Sequence, residues 1–303
     1  MNATSDARQT GVVVATHRRH FEVLLESGES IDCLQKGRAR QLACGDRVAV
    51  ARIAGGGVIQ SVEPRDNLIF RSDAFRERLI AANATQIVGV VAPDLTLDEE
   101  LIHRWMIAAE AEGCRFIVAA NKRDLPTFAA LTSRLALVAS LGYPIVALAA
   151  RHDVGPLERW LAEQRSVLVG QSGMGKSTII NALAPDVATR TEEVSTALRG
   201  GRHRTTATTL YPLPALGETA WIVDSPGMKA FGLAHVAPDA LEHAFVELRP
   251  FIGKCRFRDC RHDREPGCAM QEAVAQGVVQ PFRLALLRDL IREAAPTAPS
   301  LRA

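Results

Sequence analysis

The sequence has no apolar run of about 18 residues or more, so no transmembrane helix is expected. Its first residues, Met1–Gln9, are polar and lack the apolar centre of a secretory signal. Charge of one sign is also missing. The formal net charge is +2, too small for a whole-molecule field that would by itself demand a nucleic-acid partner. Cysteine is scarce, at six in 303 residues, which excludes a disulfide-built scaffold. No internal repeat is evident. These absences leave a cytoplasmic protein without a membrane partner as the simplest expectation.

What is present divides into three stretches. The chain is 47% hydrophobic, ample for a packed core. Over residues 1–64, short alternating apolar runs (Val12–Val14, Phe21–Leu24, Arg47–Ile53, Val58–Val62) are separated by turn signals around Gly28, Gly45 and Gly55–Gly57. This pattern predicts a small β-barrel of about five strands, partly open and OB-like. Over 65–232, strand-like runs alternate with helical ones. Gln86–Ala92, Phe116–Ala120, Ile145–Leu148, Ser166–Val169 and Trp221–Val223 read as strands, and Leu97–Glu112 (capped by Thr96) and Phe128–Leu141 as helices. Such alternation predicts an α/β domain whose ligands bind at the carboxyl ends of parallel strands. Residues 233–303 read as a helical, cysteine-bearing domain, with helices at Pro238–Leu248 and Phe282–Arg292.

Three motifs follow predicted strands. Gly170-Gln171-Ser172-Gly173-Met174-Gly175-Lys176-Ser177, continued by Thr178, fits G-x-x-x-x-G-K-[ST]. Its glycines let backbone N–H groups face phosphate oxygens, and the following helix adds its positive end. Lys176 would reach the outer phosphates, and Ser177 would ligate the magnesium that accompanies them. Asn121-Lys122-Arg123-Asp124 fits N-K-x-D. The Asp124 carboxylate suits the two donors on the guanine edge, a pair that adenine lacks, so GTP and GDP are the expected ligands. Asn121 would contact the base or tie loops together, and the Lys122 stem would cover the ring. Asp224-Ser225-Pro226-Gly227 fits D-x-x-G, with Asp224 serving magnesium through water and Gly227 sensing the γ-phosphate. Thr205 and Thr206 lie between, in a Gly- and Arg-rich stretch suited to a switch. Thr206 is the preferred magnesium threonine.

The base motif precedes the phosphate loop, the reverse of the usual order, so the set is circularly permuted. With this order, N-K-R-D, G-Q-S-G-M-G-K-S, G-G-R-H-R-T-T and D-S-P-G-M-K-A-F-G-L, the chain resembles the circularly permuted ribosome small-subunit-dependent GTPase A family over nearly its whole length. The resemblance implies a GTP hydrolase that acts late in maturation of the small ribosomal subunit. It further implies subunit-stimulated turnover, contacts to rRNA, an oligonucleotide-binding type of barrel and a zinc-binding C-terminal domain. A monomer is expected. Two positions depart from common patterns: Ala149-Ala150 stands where many GTPases have Ser-Ala, and His203-Arg204 precedes the switch threonines. A P-loop phosphotransferase or a GTP-binding regulator unrelated to the ribosome is the alternative reading, which N-K-x-D disfavours in the kinase case.

Cys255, Cys260, His262 and Cys268 offer three thiolates and an imidazole in a compact span. That set suits one closed, structural zinc ion, with an unliganded cluster or a stray disulfide as the other possibilities. The nearby Lys254, Arg256, Arg258, Arg261 and Arg264 read equally well as a solvated surface or as a phosphate-binding one, and the resemblance tilts them towards RNA. Barrel residues Arg18, Arg19, Lys36, Arg38 and Arg40 pose the same choice, without an aromatic ladder beyond Phe21. Where many GTPases place a water-orienting glutamine after D-x-x-G, this chain has Met228, which cannot serve. His203 is the candidate in its place, and it matches the histidine that the resemblance implies.

Overall fold

A computed structural model describes residues 9–17, 20–35, 41–73, 76–185, 208–225 and 231–294, without the side chains of 71–78. Five strands, β1 (Gln9–His17), β2 (His20–Leu25), β3 (Ser30–Gln35), β4 (Arg47–Ile53) and β5 (Gly56–Val62), form the barrel. Their order is β1-β2-β3-β5-β4, and β4 pairs back onto β1 to close it. Every neighbouring pair is antiparallel except β3–β5. This is the connectivity of an OB-type Greek-key barrel, closed rather than partly open. Alternation along the strands sends Val13, Val23, Ile31, Cys33, Val48, Val50 and Ile59 into the barrel core. β3, with only Ile31, Cys33 and a half-exposed Leu34 as apolar residues, was not legible as a separate run.

A hairpin, β6 (Leu68–Asp73) with β7 (Arg76–Ala82), joins the barrel to the α/β unit. Beyond it stand β8 (Gln86–Val91), α1 (Glu99–Ala111), β9 (Arg115–Ala120), α2 (Phe128–Arg134), α3 (Ala136–Ser140), β10 (Ile145–Ala147), α4 (Gly155–Leu161), β11 (Arg165–Val169) and α5 (Lys176–Leu183). β12 (Thr209–Pro212) and β13 (Trp221–Asp224) complete the sheet. The order is β10-β9-β8-β11-β13-β12, parallel except for β12. Chain order runs outward from β8 to β10, then returns to place β11 on the other side of β8. The reversal between β8 and β11 is the topological switch point where such sheets bind ligands. β12 also pairs with β1, at Ala15↔Thr209, so one hydrogen-bonded sheet of eleven strands runs through both units.

Three helical expectations need correction. Thr96 does not cap α1. Asp98 does, its Oδ1 accepting from Leu101 N–H at 3.1 Å, and Glu99 and Glu100 follow in the first turn. A carboxylate there satisfies an orphan donor and favours the positive helix end, two gains that a threonine further out cannot match. The run Phe128–Leu141 is two helices meeting at Leu135, whose N–H is shared between Leu131 and Thr132 carbonyls and whose side chain is fully buried. The helix begun at Pro238 ends at Ala244, because Phe245 adopts extended backbone and drops its ring into the core.

The C-terminal region comprises α6 (Pro238–Ala244), α7 (Ala269–Ala275) and α8 (Pro281–Glu293). It packs against α1, and Trp105, Phe231, Phe245, Met270 and Leu287 share one hydrophobic core. Charged contacts rim this junction. Arg104 bridges Glu100 and Glu293, and Arg249 reaches Glu110 at 2.6 Å. Arg283, only 1% exposed, is held by both oxygens of Glu247 at 2.5 and 3.2 Å, lies 4.3 Å from the Phe245 ring centre, and donates to His103 Nδ1.

Candidate functional site

The phosphate loop turns at the carboxyl end of β11 and enters α5. Gly175 sits in the left-handed region at φ 101°, and a Cβ there would collide with the Asn121 amide. Glycine is therefore required on two grounds, conformation and space. Lys176 is 7% exposed, and its ammonium donates to the Gly170 and Gln171 carbonyls at 2.7 and 3.2 Å. Ser172, Gly173 and Ser177 face solvent, Gln171 and Thr178 are half-buried, and Met174 anchors the loop in the core.

The N-K-x-D turn follows β9, two strands away in the sheet. Asn121 is buried and spans both motifs. Its amide donates to the Met174 carbonyl at 3.0 Å, while its carbonyl oxygen accepts from the Ala150 N–H at 3.0 Å. The asparagine thus ties three loops together, and the Ala150 N–H is committed to it. Lys122 sits at a left-handed φ of 61° and donates to the Gly173 carbonyl at 3.0 Å. Asp124 is exposed, with His152 Nε2 4.0 Å from its carboxylate, which is open to a ligand.

Asp224 ends β13 beside the phosphate loop. Its Oδ1 is buried without a hydrogen-bond partner among the described residues. Burial pushes its carboxyl up to about 6, with the Lys176 ammonium opposing. Burial likewise pulls Lys176 below the ordinary lysine range, opposed by Asp224. A buried lone pair with no donor, next to a lysine and a phosphate loop, is the arrangement a cation with its bound water would complete. Ser225 was not singled out in sequence, yet its buried hydroxyl donates to the Leu168 carbonyl at 2.5 Å and pins this strand end to β11. His203, Thr206, Gly227 and Met228 lie outside the described residues, as do Arg18, Arg19, Lys36, Arg38 and Arg40.

In the C-terminal region the ligand atoms of Cys255, Cys260, His262 and Cys268 lie within 4.8 Å of one another. Cys255 Sγ is 3.8 Å from Cys268 Sγ, and His262 Nδ1 is 3.6 and 3.4 Å from those two sulfurs. Zinc–sulfur bonds of ~2.3 Å put tetrahedral sulfurs about 3.8 Å apart, the spacing of Cys255 and Cys268, so the group could hold a metal ion. Burial works against a Cys268 thiolate, but backbone N–H groups of Gln271 and Met270 and the His262 ring together hold its thiol below the usual range. Glu242, on α6, takes the far ring nitrogen of His262 at 3.1 Å. A carboxylate behind a histidine ligand orients the ring and raises its basicity. Nothing local in sequence marks Glu242, which stands twenty positions before the histidine.

Among known proteins, the RsgA GTPase family model matches residues 62–234. A protein of Nitrosospira multiformis named small ribosomal subunit biogenesis GTPase RsgA is 45% identical over 284 residues, covering 93% of this chain and 90% of that relative. Its namesake in Nitrosomonas europaea is 42% identical over 288 residues, covering 93% and 91%. Among solved structures, YjeQ from Thermotoga maritima superposes with a TM-score of 0.71 at 28% identity, covering 96% of this chain and all of that one. YloQ, described as a circularly permuted GTPase, gives 0.68 at 20% identity over 98% of this chain and all of that one, a likeness of fold.

Proposed function

The chain belongs to the RsgA GTPase family, and from that premise we propose that it hydrolyses GTP to GDP and phosphate while acting in late maturation of the small ribosomal subunit, with turnover stimulated by that subunit. The observation that carries the nucleotide reading is Asn121. One buried amide joins N-K-x-D to a phosphate loop 53 residues further along the chain, so base and phosphate motifs form one site despite their reversed order. The relatives' names, which specify small-subunit biogenesis, support the ribosomal half of the reading.

In this mechanism Asp124 takes the guanine edge, and the Lys122 stem covers the base. Gly170, Gln171, Ser172, Gly173, Met174 and Gly175 present backbone N–H groups to the phosphates. Lys176 leaves its two carbonyls for the outer phosphate oxygens, a better match for a buried ammonium than neutral acceptors. Thr178 continues the cradle into α5. Ser177 and Asp224 would hold magnesium, with Thr206 as a further ligand. The ion supplies neutralisation of charge developing on the transferred phosphoryl group. Gly227 senses the γ-phosphate, and His203 orients the attacking water in the role that Met228 cannot fill. The Cys255, Cys260, His262 and Cys268 cluster would hold one structural zinc.

We divide the chain at 1–64, 65–232 and 233–303, and place it as a monomer in the cytoplasm. Among the described residues, no helix is long and apolar enough to cross a membrane. The basic residues about the cluster and on the barrel are assigned to rRNA phosphates. GTP turnover measured with and without purified small subunits tests the reading. Weak intrinsic hydrolysis accelerated by about 10³–10⁵-fold is the expected range for a partner-stimulated GTPase. Absence of any acceleration, together with subunit binding indifferent to GDP or a non-hydrolysable GTP analogue, would remove the ribosome from it.

A further inference from the structure

The loop between β8 and α1 lies at the switch point of the sheet, beside the phosphate loop, yet none of the three nucleotide motifs includes it. Asp94 in this loop meets the Lys122 ammonium at 2.5 Å. The same ammonium donates to the Gly173 carbonyl at 3.0 Å. Leu95, next along, lies so close to Gly173 that a Cβ there would be 3.0 Å from its Cδ1. The β8–α1 loop, the phosphate loop and the N-K-x-D turn therefore converge on one lysine side chain.

We infer that Asp94 is a positioning residue for guanine-nucleotide binding, holding the Lys122 ammonium so that the lysine stem lies across the base. The inference rests on the nucleotide reading above and names a residue that the motifs omit. Lysine is a flexible chain with about 2 kcal/mol of rotamer entropy, so one carbonyl acceptor leaves its stem loosely placed. The Asp94 carboxylate, as a second acceptor, makes a two-point anchor with a charge-assisted bond. Backbone geometry adds to the need, because Lys122 occupies a left-handed conformation that L-residues rarely adopt. Lys122, with Arg151 at longer range, holds the Asp94 carboxyl below the usual carboxylate range, as expected of an ionised partner. Since GTP and GDP share the base, the contribution is uniform binding: it sets affinity and KM, not the chemical step.

The test uses the full chain with GDP and a non-hydrolysable GTP analogue, titrated calorimetrically, and steady-state GTP turnover. A partly exposed ion pair changes affinity modestly, so Asp94→Ala is expected to weaken both nucleotides equally, by about two- to five-fold. KM should rise by that factor while kcat holds. Asp94→Lys, which sets two ammonium groups together, should be weaker than Asp94→Ala, and Asp94→Glu should recover most of the affinity. On a Lys122→Ala background, Asp94→Ala should add nothing. An equal loss on that background, or unchanged affinity in both the Ala and Lys variants, overturns the inference while the nucleotide reading stands. Failure of the wild-type chain to bind either nucleotide would instead overturn the reading beneath it.

Discussion

Glu247→Gln should undo the docking of the C-terminal helices on α1. Arg283 is 1% exposed, and Glu247 supplies two of its bonds, at 2.5 and 3.2 Å, from a side chain itself 10% exposed. Both ions have lost most of their water, and the other contacts of the guanidinium found among the described residues, the Phe245 face and His103 Nδ1, carry no negative charge. Removing the carboxylate charge strands a guanidinium in the core. Breaking a buried pair in this way costs about 3–5 kcal/mol, whereas replacing both partners by apolar groups is often near neutral. At 1.4 kcal/mol per decade, the single variant should lower hydrogen-exchange protection of the α8 amides by roughly two to three and a half orders of magnitude. Arg283→Met with Glu247→Leu should recover much of that loss. Protection within a factor of ten of wild type in Glu247→Gln would refute the reasoning, since the charge would then have found water or another partner.

The same cluster makes a pH prediction. Burial, and the Arg283 charge beside it, pull His103 down to about 3, so the ring is neutral when folded and its Nδ1 accepts from arginine. An ordinary histidine near 6.5 in the unfolded chain takes a proton that the folded ring refuses. The contribution is full above pH 6.5 and is lost as pH falls from there towards 3, by up to about 1.4 kcal/mol per unit. Urea unfolding of His103→Asn, whose carbonyl can replace Nδ1, should show a shallower loss between pH 6.5 and 5 than wild type; parallel curves would place the proton elsewhere. Asp124→Asn should weaken GTP binding and erode discrimination against ATP and xanthosine triphosphate by calorimetry, and an unaltered preference for GTP would contradict its role. Stripping metal should unfold the region around Cys255–Cys268, because apparent zinc binding energies of about 10–16 kcal/mol rival a whole domain's stability of about 5–15 kcal/mol. Metal analysis of purified protein that finds no zinc would remove that expectation. His203→Ala should lower kcat for GTP while nucleotide affinity holds; equal turnover would move the water-orienting role to another group.

Local chemistry made much of this protein legible. A phosphate loop, an N-K-x-D turn and a Cys₃His group are short runs whose residue types and spacing carry their chemistry. The periodicity on either side declared which unit was barrel, which was α/β and which was helical. The circular permutation was visible as motif order alone. Long-range distance was not visible in that way. Three features required the folded sheet: Asn121 reaching Met174, Asp94 meeting Lys122 from the loops after neighbouring strands β8 and β9, and β12 pairing with β1. Each joins segments whose separation no periodicity encodes. Glu242 behind His262 and Glu247 beneath Arg283 are of the same kind, carboxylates that look solvated in sequence and are placed by helix packing. Helix ends also waited on tertiary structure. Asp98 outcompeted Thr96 because it reaches the first-turn N–H, and Leu135 and Phe245 broke their helical runs because burying a large apolar side chain outweighs one more turn of exposed helix.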